Sequence, residues 1–115
     1  MTVIRELDSP GLADYLSATP GGVVIDFWSN WCRRCLSLRP QLEQLAADLE
    51  GSGWSMVAVN AEAAEEAVDA FDVRSLPTIV FCVGGKEQDR LTGPLLVSTI
   101  AEQVERWTPA ARNGH

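Results

Sequence analysis

A chain of 115 residues, 46% of them hydrophobic, is long enough to form one domain around its own core without staples. Sixteen Asp and Glu against nine Lys and Arg leave a net charge of −7, which argues against binding nucleic acid or an anionic membrane through charge. No run of eighteen apolar residues occurs, and the opening MTVIRELDSPGLADYL lacks the pattern of an export signal, so a cytoplasmic location is expected.

Val3 to Leu7 reads as a short strand, and Ser9 as N-cap with Pro10 at the first helical position starts a helix that Thr19-Pro20-Gly21-Gly22 ends. Residues 23–28, VVIDFW, are nearly continuous in apolar side chains, the signature of a strand covered on both sheet faces. Cys35, Leu38, Leu42, Leu45 and Leu49 then recur at helical spacing, so a long helix with Pro40 inside it begins near Cys32 and closes at Gly51-Ser52-Gly53. WSMVAVN at 54–60 is a further strand, and Ala61 to Phe71 a helix whose glutamates face water. TIVFCV at 78–83, the Gly84-Gly85 turn and Glu87 to Leu91 form an antiparallel hairpin; Leu95, Ile100, Val104 and Trp107 mark a last amphipathic helix. The order βαβαβαββα predicts one α/β domain over residues 1–108, a mixed central sheet of about five strands flanked by about four helices. Its first three crossovers are expected to be βαβ units, and residues 109–115 a flexible tail.

Three cysteines and one histidine, His115, are too few for an ordinary four-ligand zinc site, so no metal is expected. An odd count with a Cys-x-x-Cys beside a βαβ pattern points to redox chemistry instead of a disulfide scaffold. Cys32 falls at the strand-to-helix junction, where unpaired N–H groups favour a thiolate, and Cys35 lies one turn on, within the apolar stripe. The more exposed Cys32 would attack a substrate disulfide, and the more buried Cys35 would resolve the mixed disulfide. Asp26 sits inside an apolar run and should titrate high, which suits it to take the proton of Cys35. Cys82 reads as a packed, inert thiol, and Trp28, Trp54 and Trp107 as core or groove-wall aromatics.

VVIDFWSNWCRRC, Pro40, RSLPTIVF at 74–81, the glycines 84 and 85, and Gly93 together resemble the thioredoxin family, over about Val3 to Trp107. The resemblance implies the thioredoxin fold, with Cys32 as nucleophile, Cys35 as resolving thiol and Asp26 as buried proton acceptor. It implies further that Trp31 shapes the substrate groove, that Pro77 follows a cis bond near the disulfide, that the backbone of Leu76 pairs with an extended substrate segment, and that Gly93 lets the substrate approach closely. The chain departs from the family pattern at four places: Arg33-Arg34 replace Gly-Pro between the cysteines, Ala58 replaces a buried lysine, Leu36 a basic residue and Ser75 a glycine.

The expected activity is thiol-disulfide exchange with client proteins that contain disulfides, as a monomeric reductase recharged by a thioredoxin reductase or another dithiol, with no bound cofactor. Arg33 and Arg34 should favour the Cys32 thiolate and so stabilise the reduced form, giving a potential tens of millivolts less reducing than ordinary thioredoxin. Loss of the loop proline pushes the same way. The same two charges also suit selection of acidic clients. Two other readings compete: a co-chaperone or assembly module that holds clients in the groove, and a metal shared by two chains through Cys32 and Cys35.

Overall fold

A computed structural model of the chain describes residues 4–108. The elements follow the expected order: β1 (Arg5–Glu6), α1 (Ser9–Ala18), β2 (Gly22–Trp28), α2 (Arg33–Asp48), β3 (Trp54–Asn60), α3 (Glu65–Ala70), β4 (Thr78–Val83), β5 (Lys86–Thr92) and α4 (Val97–Arg106). They build a five-stranded sheet in the order β1-β3-β2-β4-β5. Val3, the expected tail at 109–115 and His115 lie outside the described residues.

β1 and β2 both pair with β3 in parallel, whereas β4 runs antiparallel to β2 and β5 antiparallel to β4. Two of the three expected βαβ units therefore form, and the third does not. The six-residue α3 leads into a return in which Thr78 pairs with Phe27 at the far end of β2. Direction is invisible in the local pattern, because a strand buried on both faces reads as an apolar run whichever way it points.

The N-cap of α1 is Asp8 and not Ser9: the Asp8 carboxylate accepts the Gly11 N–H at 2.8 Å, a capping bond worth about 1 kcal/mol. Ser9 is drawn elsewhere. Its Oγ accepts the Ala67 N–H at 3.0 Å, satisfying a donor in the first turn of α3, whose own N-cap residue Ala64 has no side-chain oxygen.

Side chains alternate along β2, and the two faces feed two cores. Val23, Ile25 and Phe27 join Leu12, Val57 and Val80 beneath α1 and α3. Val24 joins Leu38, Leu42, Phe81 and Ile100 beneath α2 and α4. Asp26 shares the parity of Val24, and its register partners Ala58 and Ile79 belong to the same core, so its carboxylate enters the layer that α2 covers. Pro40 sits within α2 without ending it; the carbonyl it cannot bond is that of Leu36, which lies on the exposed side of the helix.

The loop from α3 to β4 is pinned by Arg90 of β5. Its guanidinium donates to the carbonyls of Phe71 at 2.7 Å and Asp72 at 3.4 Å while paired with Glu87. Asp72 takes a positive φ of 52°, and the chain then runs into the cis Leu76–Pro77 bond. This delivers Pro77 to the end of the sheet from which α2 departs.

Candidate active site

Cys32 is the N-cap of α2, in extended conformation, and its Sγ accepts the Cys35 N–H at 3.2 Å. Its own N–H donates to the Ser29 carbonyl at 3.3 Å, closing the turn between β2 and α2. Cys32 and Cys35 are joined in a disulfide with their Cα atoms 5.3 Å apart. A sulfur at this place faces the unpaired N–H groups and positive end of a sixteen-residue helix, which favour negative charge on it once the bond is reduced. Cys32 is 7% exposed and Cys35 2%. The expected order holds, but the expected contrast is small, since in the disulfide both sulfurs are largely covered.

Asp26 is 1% exposed. Burial raises its carboxyl to about 7; the Arg39 guanidinium opposes this, and Glu6 adds to it. Oδ2 lies 3.5 Å from Arg39 Nη2, and Oδ1 has no hydrogen-bond partner among the described residues. A carboxyl so placed exchanges its proton in the neutral range, as a base for a thiol must. Arg39 follows Cys35 by four residues, one turn along α2, which brings Asp26 and the buried cysteine to the same stretch of helix.

Around the disulfide, Pro77 is buried, and its carbonyl accepts the Gly93 N–H at 3.4 Å, joining two expected groove residues from separate loops. Gly93 has φ of 83°, a backbone state that glycine adopts without steric cost, and a Cβ there would meet nothing within 4 Å. The Leu76 side chain packs on the α1/α3 core while its N–H and C=O have no partner among the described residues. Trp31 is 67% exposed beside Cys32. A cleft of about 300 Å³ is lined by Arg33, Arg34 and Gln41 of α2 and by Pro77, Pro94 and Leu95 from the loops. No acidic side chain lines it, and neither arginine joins an ion pair among the described residues.

The sequence reading did not single out Arg39 or Glu6. Both are charged residues beside apolar ones, and the one available signal was that Arg39 follows Cys35 by four on α2, flanking the stripe. Cys82 is fully buried, with its thiol pushed up to about 11 chiefly by that burial, as expected of an inert core residue. Trp54 is a core residue; Trp28 and Trp107 are half-buried and pack against the same core. Among the described residues no cluster of His, Cys, Asp and Glu is arranged to hold a metal ion, and no helix is long and apolar enough to cross a membrane.

The family model for thioredoxin matches residues 5–106. A thioredoxin of Mycoplasmoides gallisepticum is 38% identical over 90 residues, covering 78% of this chain and 88% of that one. A thioredoxin of Chlorobaculum thiosulfatiphilum is 35% identical over 83 residues, covering 72% and 76%. Among solved structures, Fasciola hepatica thioredoxin matches with a TM-score of 0.82 at 30% identity, covering 90% of this chain and 98% of that one.

Proposed function

The chain belongs to the thioredoxin family and is a thiol-disulfide oxidoreductase, and we propose that it works as a protein-disulfide reductase with Cys32 as nucleophile, Cys35 as resolving thiol and Asp26 as proton acceptor. In that cycle the Cys32 thiolate attacks one sulfur of a client disulfide, forming a mixed disulfide and releasing the other client sulfur as thiolate. Asp26 takes the proton of Cys35; the Cys35 thiolate attacks Cys32 Sγ, closing the Cys32–Cys35 bond and releasing the second client thiolate. Two electrons pass to the client. The redox group is the cysteine pair itself, and the proposal calls for no resident cofactor.

The observation that carries this reading is the Cys32–Cys35 disulfide at the N-terminus of α2, next to the Arg33 and Arg34 that share a cleft with Pro77, on a helix whose Arg39 lies 3.5 Å from a buried carboxyl poised near neutrality. A module that only holds clients needs none of these features, and a metal shared through Cys32 and Cys35 competes with the disulfide for both ligands. Trp31, the Leu76 backbone, Pro77 and Gly93 are assigned to the client groove. The domain is taken as residues 1–108, acting as a monomer in a cytoplasm whose thioredoxin reductase or another dithiol recharges it.

Arg33 and Arg34 are assigned two effects. Exposed in the first turn of a helix whose dipole already favours a thiolate, they add two cations near Cys32, stabilise the reduced protein and raise the potential. Their place in the cleft also supports a second role, recognition of clients with acidic residues beside the disulfide. Equilibration in graded glutathione buffers with thiol trapping tests the reading. A reversible two-electron transition between about −270 mV, the value for thioredoxin, and about −180 mV is expected, together with accumulation of a client mixed disulfide in C35S. A cysteine pair that stays oxidised throughout, or a C35S variant that captures no client, would remove it.

A further inference from the structure

The strand next to Asp26 offers it only the methyl group of Ala58, so any positive partner for the buried carboxylate has to come from another element. Arg39 of α2 supplies it. Nη2 is 3.5 Å from Asp26 Oδ2, and Nη1 is 3.1 Å from Glu6 Oε2 on β1. The guanidinium also lies over the Trp28 ring at 5.0 Å, and Trp28 Nε1 donates to the remaining Glu6 oxygen at 3.1 Å. Exposure falls along the chain of charges from 47% at Glu6 to 24% at Arg39 and 1% at Asp26, which places the cation between solvent and the buried acid.

We propose that Arg39 is a positioning residue for disulfide exchange: clamped by Glu6 and Trp28, it sets the proton affinity of Asp26 and thereby the pH at which Cys35 resolves the mixed disulfide. The proposal rests on the reading of Asp26 as proton acceptor. A planar guanidinium can meet both carboxylates and stack on an indole at once, whereas an ammonium can hold one of these places well. The groups around Asp26 leave few alternatives. Glu6 faces it from β1 and Arg39 from α2, one turn beyond Cys35, while β3 presents Ala58, β4 presents Ile79, and α4 adds Ile100 and Val104 to the same core. Arg39 is the one cation in this set. Without it, burial and Glu6 act unopposed, and Asp26 stays protonated further into the neutral range.

The test follows the Asp26 carboxyl directly, by carbon NMR titration of the reduced protein, in wild type, R39K and R39A. Mixed-disulfide decay is measured by rapid-quench mass spectrometry over the same pH range, with D26N and D26N/R39A as background controls. In R39A the carboxyl titration should move up by about one unit or more, with R39K between it and wild type. The pH of half-maximal resolution should move by the same interval. For a one-unit rise the ionised fraction at pH 7 drops from about a half to about a tenth, so resolution there slows severalfold and recovers at higher pH. D26N/R39A should behave as D26N does. A carboxyl titration unmoved in R39A overturns the assignment of Arg39 whatever Asp26 does. A titration that moves while resolution keeps its pH profile overturns instead the role of Asp26 as base, and Arg39's part in exchange with it. A further loss in D26N/R39A shows that Arg39 acts on the cysteines directly and also overturns the proposal.

Discussion

Asp26 on β2 and Ala58 on β3 are register partners in the parallel ladder, so the neighbouring strand meets a buried carboxyl with a methyl group. The consequence for stability has a definite sign. In an unfolded chain Asp titrates near 3.9; in the fold it titrates at about 7, so the folded state binds the proton more tightly. Stability from this group is therefore full below about pH 4, falls as pH rises toward 7 and is level above it, a loss of at most about 4 kcal/mol for a shift of about three units. Asp26→Ala should gain stability over wild type at pH 8 by a few kcal/mol, and the gain should shrink toward pH 4.5. Urea unfolding of the two oxidised proteins at both pH values checks this, and a difference independent of pH would contradict it.

Neutralising the loop charges isolates their part in the potential. In R33Q/R34Q the Cys32 thiolate loses two nearby cations, the reduced form loses stability relative to the disulfide, and the potential should become more negative by tens of millivolts. Glutathione equilibration of variant and wild type in parallel measures it. An unchanged potential would assign the arginines to partner choice alone.

Much of this architecture is written locally. The apolar run at residues 23–28 and the stripe through Cys35, Leu38 and Leu42 each declare an element and its buried face, and the interruption of the first by Asp26 marks the one carboxylate in that run. What the sequence withholds depends on residues far apart in the chain. Asp8 and Ser9 can both cap a helix, and the choice is decided by Ala67, 58 residues away, which takes the Ser9 hydroxyl. Arg39 reaches Asp26 and Glu6 only because α2 lies over β2 and β1 borders β3, a fact of sheet order that no local pattern holds. The antiparallel entry of β4 was hidden for the same reason.

Cys82 should take no part in exchange. With no exposed surface and a thiol pushed up to about 11, it offers little thiolate near neutral pH and no path for a reagent. Reduced native protein treated with a slight excess of an alkylating reagent should therefore be modified first at Cys32, the most exposed of the three thiols, with Cys82 reacting only after unfolding, as mass spectrometry would show. Native modification of Cys82 on the same timescale would mean that the β4 core opens far more readily than its packing implies.

The cleft beside the disulfide makes a stronger demand on clients than the net charge of −7 suggests. Acidic proteins generally repel acidic partners, yet the surface nearest the reacting sulfurs carries Arg33 and Arg34 unpaired among the described residues, with no carboxylate in the cleft lining. Two disulfide peptides differing only in acidic or basic flanking residues should therefore be reduced with different kcat/KM, the acidic one faster at low ionic strength by about tenfold. The preference should fade as salt shortens the reach of the charges to a few ångströms. R33E/R34E should invert it while leaving the fold intact, because both side chains are exposed. The potential of that variant also shifts, but a change at the thiol alone slows or speeds both peptides by the same factor. The ratio between the two peptides thus separates recognition from redox tuning, and an unchanged ratio in R33E/R34E would end the case for acidic clients.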